Sequence, residues 1–539
     1  MATVDRLTFT NGLSKLKGAA FRLVCLGATA VGVLALAALL LTVTWGALGF
    51  DAAHPVWILV VLTATGLSTG GVVTYARRDE TVKLAAISST AALIGGAVLG
   101  VFAVVFQLIV TPSVWAAYAG GALLPALVTA LVIPNRRYRL PATAAVLVGG
   151  GVVATVALDT LTELAGAADP WLLYLLTIVV PLAVLVWTRV EPTAGRRRAG
   201  LLAGGLVLAG VAVPLLTPAP DPLTPGLVLV FGLALFSPLG VLAWRRFRNG
   251  QSNVGLAAPL VIVGGAVVGV VIANATGFAA ADPWLDWQFL TSPHSRLPED
   301  AGLYPAVVGS FFIMMVMAAF AFPVSVGAAI YLEEYAPSTG WRGRIVQLIQ
   351  VNIANLAGVP SVVYGLLGLA IIARGVSLGP FALWPGTGTG VVTTAAFTLG
   401  LLIMPITIIS AQEAIRAVPD AHRRASYAMG ASDWHTLRNV VLPEALPGIL
   451  TGTILSLGRA IGETAPLIMI GAATTVYSPP TSLNDSVSAM PMQIYAWAGE
   501  FIADFRTGVL SAGVLTLLLA MLAINAVAIL VRNRYERNQ

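Results

Sequence analysis

The sequence predicts an all-α, polytopic α-helical membrane protein with about 14 transmembrane helices. Hydrophobic residues make up 58% of the 539 residues, charged residues make up only 10%, and the mean hydropathy is +0.88. These values are typical of polytopic membrane proteins rather than of soluble ones. The basic residues, 30 Lys and Arg against 24 Asp and Glu, are concentrated in short loops between apolar stretches. This distribution indicates topology signals and not a nucleic-acid-binding surface.

The first half contains eight apolar stretches of membrane-crossing length, near residues 21–46, 56–75, 83–110, 114–134, 141–160, 170–188, 199–217 and 225–244. Arginine or lysine follows every second stretch, whereas the loops at 49–55, 111–113, 161–169 and 218–224 contain neither. The alternation predicts that the N-terminus and the loop at 245–255 are cytoplasmic. Because these stretches carry almost no ionisable side chain, we assign residues 1–250 to a membrane region of unknown role.

Residues 251–539 are predicted to form a second domain with six spans, near residues 257–278, 304–332, 345–373, 390–412, 449–470 and 508–531. Pro360 and Pro405 are expected to kink or unwind their spans. The segment PMQIYAWA predicts a short interfacial helix because of its Trp and Tyr. Glu333 and Glu334, at an inner helix end, are expected to be solvated or to contact a partner subunit.

One pair of charges lies near the middle of the span at 449–470. Arg459 and Glu463 are costly in hydrocarbon unless they face protein or water, and their spacing places both on one helix face, beside Gly458 and Gly462. Two interpretations remain open: a direct contact with a substrate, or an ion pair that locks two helices together. The same alternatives apply to the polar residues of the span at 345–373, among them Asn355, Ser361 and Tyr364.

The polar segment before that span, residues 424–447, predicts a helix-turn-helix elbow on the membrane surface. Gly430 separates two short helical stretches, at 425–429 and 434–441, and Leu442-Pro443 is expected to end the second. The spacing resembles the EAA loop of ABC importer permeases, whose coupling helix docks on an ATPase subunit. The resemblance assigns this role to Ala425, Ala428, Gly430, Ala431, Leu442 and Pro443. Arg424 and Ser426 depart from the family pattern, which usually has Glu and Ala there.

A closer resemblance covers roughly residues 257–535. The motifs YLEEYAP, NLAGVPSVVYGLLGL, EAIRAVP, GRAIGETAPLI and PMQIYAWA occur around the elbow in the order seen in phosphate ABC importer permeases of the PstA type. The resemblance implies a type I importer for inorganic phosphate. Its partners would be a second, PstC-type permease, an ATPase dimer and an extracytoplasmic phosphate-binding protein. The chain would be a multi-pass protein of the cytoplasmic membrane, embedded in lipid, with both termini in the cytoplasm.

No motif indicates catalysis by this chain itself. Lys15, Lys17 and Lys83 do not follow a GxxxxG run, so a P-loop is absent, and the four histidines match no metal-ligand spacing. We therefore expect no cofactor and no metal here, and we expect ATP and Mg²⁺ on the partner ATPase. Two alternatives are a permease for another oxyanion (sulfate, molybdate or tungstate) and a membrane phosphate sensor or scaffold.

Overall fold

The computed structural model describes residues 2–77, 79–133, 136–216, 224–251, 254–337, 339–378, 381–472 and 476–536. The all-α membrane fold is confirmed, because the described residues contain eleven helices long and apolar enough to cross a membrane, or up to thirteen if each of two bent pairs is one span. The first half consists of α1 Ala2–Ala47, α2 Pro55–Ala76, α3 Glu80–Ile109, α4 Pro112–Val132, α5 Arg136–Val156, α6 Leu158–Gly166, α7 Pro170–Pro192, α8 Arg196–Leu216 and α9 Pro225–Arg248.

The second half begins with α10 Val254–Ala275, α11 Trp287–Thr291, α12 Tyr304–Tyr335, α13 Gly340–Ala357 and α14 Ser361–Ala373. A hairpin of β1 Val376–Leu378 and β2 Phe381–Trp384 follows, and its strands pair antiparallel. The chain then forms α15 Val392–Arg416, α16 Asp420–Ala428, α17 Asp433–Ile461, α18 Ala465–Met469, α19 Met490–Ala498 and α20 Leu510–Glu536.

Each of the eight apolar stretches predicted in the first half coincides with a helix. The fifth is bent, since α5 and α6 meet at 79°. Arg78 and nearly all of the predicted outer loop at 218–224 lie outside the described residues.

The predicted span at 345–373 is not one straight helix. It is divided into α13 and α14, which meet at 110° around Gly358 and Pro360. Pro360 cannot donate to the carbonyl one turn earlier, and its ring excludes a helical conformation at the residue before it. α14 is about 20 Å long, shorter than the ~30 Å hydrocarbon core of a bilayer. The two pieces therefore form a broken span or a re-entrant hairpin.

α15 is the central helix of the second half. Of the most apolar 18 residues of α15, 67% are buried within the chain, whereas 0% of the corresponding residues of α1 are buried. Small residues let its neighbours approach: a Cβ at Gly400 would lie 3.3 Å from the ring of Phe320 on α12, and one at Gly452 of α17 would lie 2.3 Å from Cβ of Ser410. Pro405 lies inside α15, which runs past it without a break.

The helix predicted from PMQIYAWA forms, as α19, but its Trp does not lie at a membrane surface. Trp497 is fully buried against Phe289, their ring centroids 5.8 Å apart, whereas Tyr495 is 61% exposed. The backbone N–H of Met490 also donates to Ser310 Oγ of α12 at 2.8 Å. Trp497 is therefore not an exposed interfacial anchor, because Phe289 of α11 and the start of α20 around Gly513 enclose the indole.

The first half packs against the second. A Cβ at Gly46 of α1 would lie 2.8 Å from Ser511 Oγ of α20. α10, which the sequence assigns to the second domain, packs along α2, where Trp57 Nε1 donates to Asn274 Oδ1 at 2.7 Å. Helices on either side of the proposed division at residue 250, such as α2 and α10, therefore pack against each other.

Loop contacts define two faces of the molecule. The backbone N–H of His54 donates to Ala279 O at 2.9 Å, which joins loop 49–55 to the segment between α10 and α12. On the opposite face, Arg246 Nη2 at the end of α9 donates to Thr81 O at the start of α3, at 3.4 Å. α9 ends on the face where α10 begins. α10 crosses to the other face and α12 crosses back, so α12 ends on the same face as α9. We call this the elbow face, since the segment at 417–441 also lies there.

Candidate functional site

The predicted elbow is a pair of helical arms joined by a tight turn. The first arm is α16, and the second is the start of α17. Gly430 sits between them with φ of +83°, a left-handed conformation that favours glycine. Two side-chain hydrogen bonds hold the arms together: Ser426 Oγ with Thr436 Oγ1 at 2.8 Å, and His422 Nδ1 with Glu444 Oε2 at 2.8 Å. Ser426, a departure from the family pattern, is therefore a buried joint of the elbow.

The prediction that Leu442-Pro443 ends the second arm is wrong. α17 runs without interruption from Asp433 to Ile461. A wide turn at Leu437–Val441, hydrogen-bonded between residues five apart, precedes the proline. Such a turn removes the need for an N–H at Pro443 and makes room for its ring. The arm and the membrane span are consequently one continuous helix.

The tip of the elbow exposes apolar side chains that the sequence analysis did not single out. Met429 is 83% exposed, Trp434 is 55% exposed, and Tyr427 is 44% exposed. Partial desolvation raises the pKa of the Tyr427 hydroxyl, and the nearby Asp433 carboxylate raises it further. Of the residues assigned to coupling, Ala425, Ala428, Gly430 and Pro443 are exposed, while Ala431 and Leu442 are half-buried. Exposed Met and aromatic residues on a polar loop are typical of a protein-docking surface.

Glu333 and Glu334 are not solvated, because both form ion pairs within the chain. Arg416 contacts Glu333 through two bonds, Nη2 to Oε1 at 2.6 Å and Nε to Oε2 at 2.8 Å. Arg423 Nη2 donates to Glu334 Oε1 at 3.0 Å, and the two glutamate side chains are only 13% and 17% exposed. This ion-pair cluster ties the end of α12 to the base of the elbow.

Arg459 and Glu463 contact each other, with Nε 3.3 Å from Oε1. They do not lie near the middle of a helix: α17 ends at Ile461, and Glu463 lies in the break before α18. The Arg459 side chain is 51% exposed and that of Glu463 is 19% exposed. A Cβ at Gly458 would lie 3.4 Å from Asn525 Oδ1 of α20. A Cβ at Gly462 would contact only the carbonyl oxygen of Arg459 in the same helical turn.

The other path candidates lie around the break between α13 and α14. Tyr364 is buried, and its hydroxyl donates to Leu356 O at 2.8 Å, which fastens the bend. Ser361 begins α14 and is half-buried, whereas Asn355 is exposed near the end of α13. α14 packs on α18, since a Cβ at Gly365 would lie 2.8 Å from Pro466 Cα. The structure thus brings together the two half-helices that follow the breaks at 358–360 and 462–464.

The described residues contain no group of three or more His, Cys, Asp or Glu side chains arranged to hold a metal ion.

Comparison with known proteins gives a match over residues 325–538 to the family of binding-protein-dependent transport system inner membrane components. This region contains the ion-pair cluster, the elbow and the Arg459–Glu463 pair.

Several curated proteins are similar to the second half. The phosphate transport system permease protein PstA 1 of Mycobacterium tuberculosis (strain H37Rv) is 33% identical over 246 residues, which is 44% of this chain and 72% of that protein. The probable ABC transporter permease protein YqgI of Bacillus subtilis (strain 168) is 32% identical over 211 residues, 39% of this chain and 67% of the relative. The phosphate transport system permease protein PstC of Mycobacterium leprae is 30% identical over 224 residues, 39% of this chain and 68% of the relative.

Proposed function

The chain belongs to the family of binding-protein-dependent transport system inner membrane components, and on this basis we propose that it is a permease subunit of an ATP-driven importer of inorganic phosphate. Relatives named as phosphate permeases of both the PstA and the PstC kind support this substrate and a paired arrangement. The second permease, an ATPase dimer that binds ATP and Mg²⁺ and an extracytoplasmic phosphate-binding protein complete the proposed transporter.

The observation that carries the proposal is the continuity of α17. Its first turns form the second arm of the elbow, and its last turn carries Arg459. The 27 residues from Asp433 to Arg459 span about 39 Å of continuous helix. A displacement of the elbow by the ATPase would therefore move Arg459, which lies on the same continuous helix. This is a two-state lever of the kind that alternating access requires.

Phosphate needs a cation or hydrogen-bond donors at membrane depth. Arg459 supplies a half-exposed guanidinium, and the side of the chain that carries it is open in the single subunit. We propose that a second permease covers this side, so that each subunit forms one wall of the path. Asn355 and Ser361 border the adjoining break, and the N-terminal end of α14 adds a helix dipole that favours an anion.

The test is ATP-dependent uptake of radiolabelled phosphate into proteoliposomes that contain this chain, the second permease, the ATPase and the binding protein. We expect uptake to require all four components and to resist competition by sulfate, molybdate and tungstate. Arg459→Gln should abolish uptake, whereas Arg374→Gln, a charge outside α17, should not. Uptake by the purified chain alone would refute the proposal. Full competition by another oxyanion would mean that the chain transports that oxyanion instead of phosphate.

A further inference from the structure

A long apolar groove lies in the first half, far from the elbow and the Arg459–Glu463 pair. It runs between α7, α8 and α9 and encloses about 1380 Å³. This exceeds the ~300–1,000 Å³ of pockets that hold drug-sized ligands. We propose that the groove is a binding site for an anionic phospholipid, with the headgroup on arginines at its mouth and the acyl chains along its walls.

The walls have the chemistry of an acyl-chain site. Among the described residues that line the groove, the deeper part is formed by aliphatic and aromatic side chains such as Leu206, Leu233 and Phe236. Gly232 and Gly240 of α9 also line it, and a Cβ at either position would have no atom within 4 Å. Because glycine has no side chain, these two positions leave space along α9 for an unbranched hydrocarbon chain.

The mouth carries the complementary charge. Arg198 of α8 and Arg245 and Arg248 of α9 line this end, and all three side chains are exposed. Arg198 lies over the ring of Phe247, 5.5 Å from its centroid, and Phe247 stacks on Trp244. Glu191, an acidic residue near this end, accepts a hydrogen bond from Trp187 Nε1 at 2.8 Å. Arginines beside an aromatic pair are typical of the level at which lipid headgroups lie.

The mouth of the groove fits one leaflet. The lining of α8, from Arg198 to Gly210, extends about 18 Å along the helix axis, and the lining of α9, from Val228 to Arg248, extends about 30 Å, the thickness of the hydrocarbon core. The mouth lies at the end of α9, on the elbow face. Arginine-rich loops mark the cytoplasmic side, whose leaflet is the one that attracts basic clusters through its anionic lipids. The charge favours an anionic phospholipid over a zwitterionic one.

The test is native mass spectrometry of the full-length chain in detergent, titrated with phosphatidylglycerol and, in parallel, with phosphatidylcholine. We expect tighter binding of phosphatidylglycerol. The double variant Arg245→Gln/Arg248→Gln should weaken it by about 30-fold, since each basic residue near a headgroup contributes about fivefold. The matched control is Arg196→Gln/Arg197→Gln, which removes two exposed arginines of the same face outside the groove and should change binding by less than about twofold.

A second pair of variants tests the groove itself. Gly232→Leu places a side chain in the open space of the groove and should reduce binding of both lipids several-fold. Gly205→Leu makes the same change on α8, at a position with open space that does not line the groove, and should leave binding unchanged. Melting curves of all variants separate loss of the site from loss of the fold.

Three results would overturn the proposal. Equal affinity for the two lipids would show that the arginines do not select an anionic headgroup. Displacement of the lipid by inorganic phosphate would make the mouth a site for the free anion. Cross-linking of Gly240→Cys to the second permease in the assembled transporter would make the groove a protein interface.

Discussion

At the scale of single residues, Arg459 illustrates how a charge is held at the end of an apolar helix. Its guanidinium is half-exposed, and its partner Glu463 lies in a helix break rather than on the helix. A carboxylate in a break can move away from the arginine more easily than one fixed on the same helix. In the proposed path, Glu463 would hold the guanidinium when phosphate is absent and separate from it when phosphate binds, so that the anion is also released.

Glu463→Gln tests this balance. Without the carboxylate, Arg459 should hold phosphate more tightly and release it more slowly. We expect a lower half-saturating phosphate concentration and an uptake rate reduced by about two- to fivefold, the range typical of a half-exposed ion pair. Glu80→Gln, which breaks the exposed pair with Lys83, is the control. Unchanged uptake kinetics in Glu463→Gln would remove this role.

Asp485 gives a prediction about pH. Its carboxylate accepts hydrogen bonds from the backbone and hydroxyl groups of Thr481 and Ser482, at 2.7–2.8 Å. The Ser482 hydroxyl, followed by the Thr481 backbone N–H, holds the pKa of Asp485 well below its usual range. A lowered folded-state pKa adds stability that is present above the unfolded pKa and is lost only as the pH falls through the folded value. The order of this loop should therefore not change between pH 5 and pH 8.

Amide hydrogen exchange over residues 476–489 measures this order. After correction for intrinsic rates, protection in the unmodified chain should be equal at pH 5 and pH 8. Asp485→Asn should lose protection several-fold at both, because a neutral amide cannot accept the same set of bonds. A loss of protection near pH 5 in the unmodified chain would contradict the lowered pKa.

At the scale of elements, the elbow is a rigid body with an apolar tip. A buried hydrogen bond and an exposed one join its arms, and ion pairs join its base to α12, yet Met429 is 83% exposed. Rigidity at the base and an unburied side chain at the tip are what a docking lever needs, since ordering costs little on binding.

Met429→Ser tests the docking role. The change should weaken co-purification with the ATPase by about 30-fold, the size of a binding hot spot. The melting temperature of the chain alone should not change, because Met429 is not packed in the fold. Val254→Ser, a 56% exposed side chain at the elbow-face end of α10, is the matched control. Normal association of Met429→Ser with the ATPase would show that docking occurs elsewhere.

Tyr364→Phe tests whether the bend between α13 and α14 is structural. Loss of the hydrogen bond to Leu356 O should destabilise the chain by about 0.5–1.5 kcal/mol. If the hydroxyl serves only the bend, uptake per folded molecule should stay within about twofold, a difference no larger than the smallest hydrogen-bond effect. Tyr495→Phe, at an exposed ring, is the control for both readouts. Lost uptake at unchanged stability would assign Tyr364 to the phosphate path instead.

At the scale of the whole molecule, the first half packs directly against the permease region through several helices. α1 lies against α20, α2 against α10, and α3 against α20. Deletion of residues 1–244 would uncover these surfaces. Normal uptake by the shortened chain together with loss of signalling would assign the extension a regulatory role.

Gly46→Leu tests the packing between the halves. The new side chain would collide with Ser511 and with the backbone of Thr507, and should destabilise the chain by about 1–3 kcal/mol. Gly32→Leu on the same helix meets open space and should leave thermal unfolding unchanged. Equal melting temperatures for the two variants would mean that α1 does not pack against α20.

The sequence by itself determined the all-α membrane class, the positions of nearly all spans and the elbow with its glycine. These depend on local properties: a run of apolar residues long enough to cross a bilayer, and a left-handed turn between two polar helices. The contact between Arg459 and Glu463 also follows from a spacing of four residues, although the helix end between them does not.

Only the tertiary structure decided how the breaks and charges are used. α17 continues through Pro443 because a wide turn accommodates the ring, and the span with Pro360 bends by 110° because Tyr364 and α18 hold it there. Glu333 and Glu334 are paired because α12 and α15 end side by side. Each of these outcomes depends on residues distant in the chain, and pairings over such separations leave no periodic signal in the sequence.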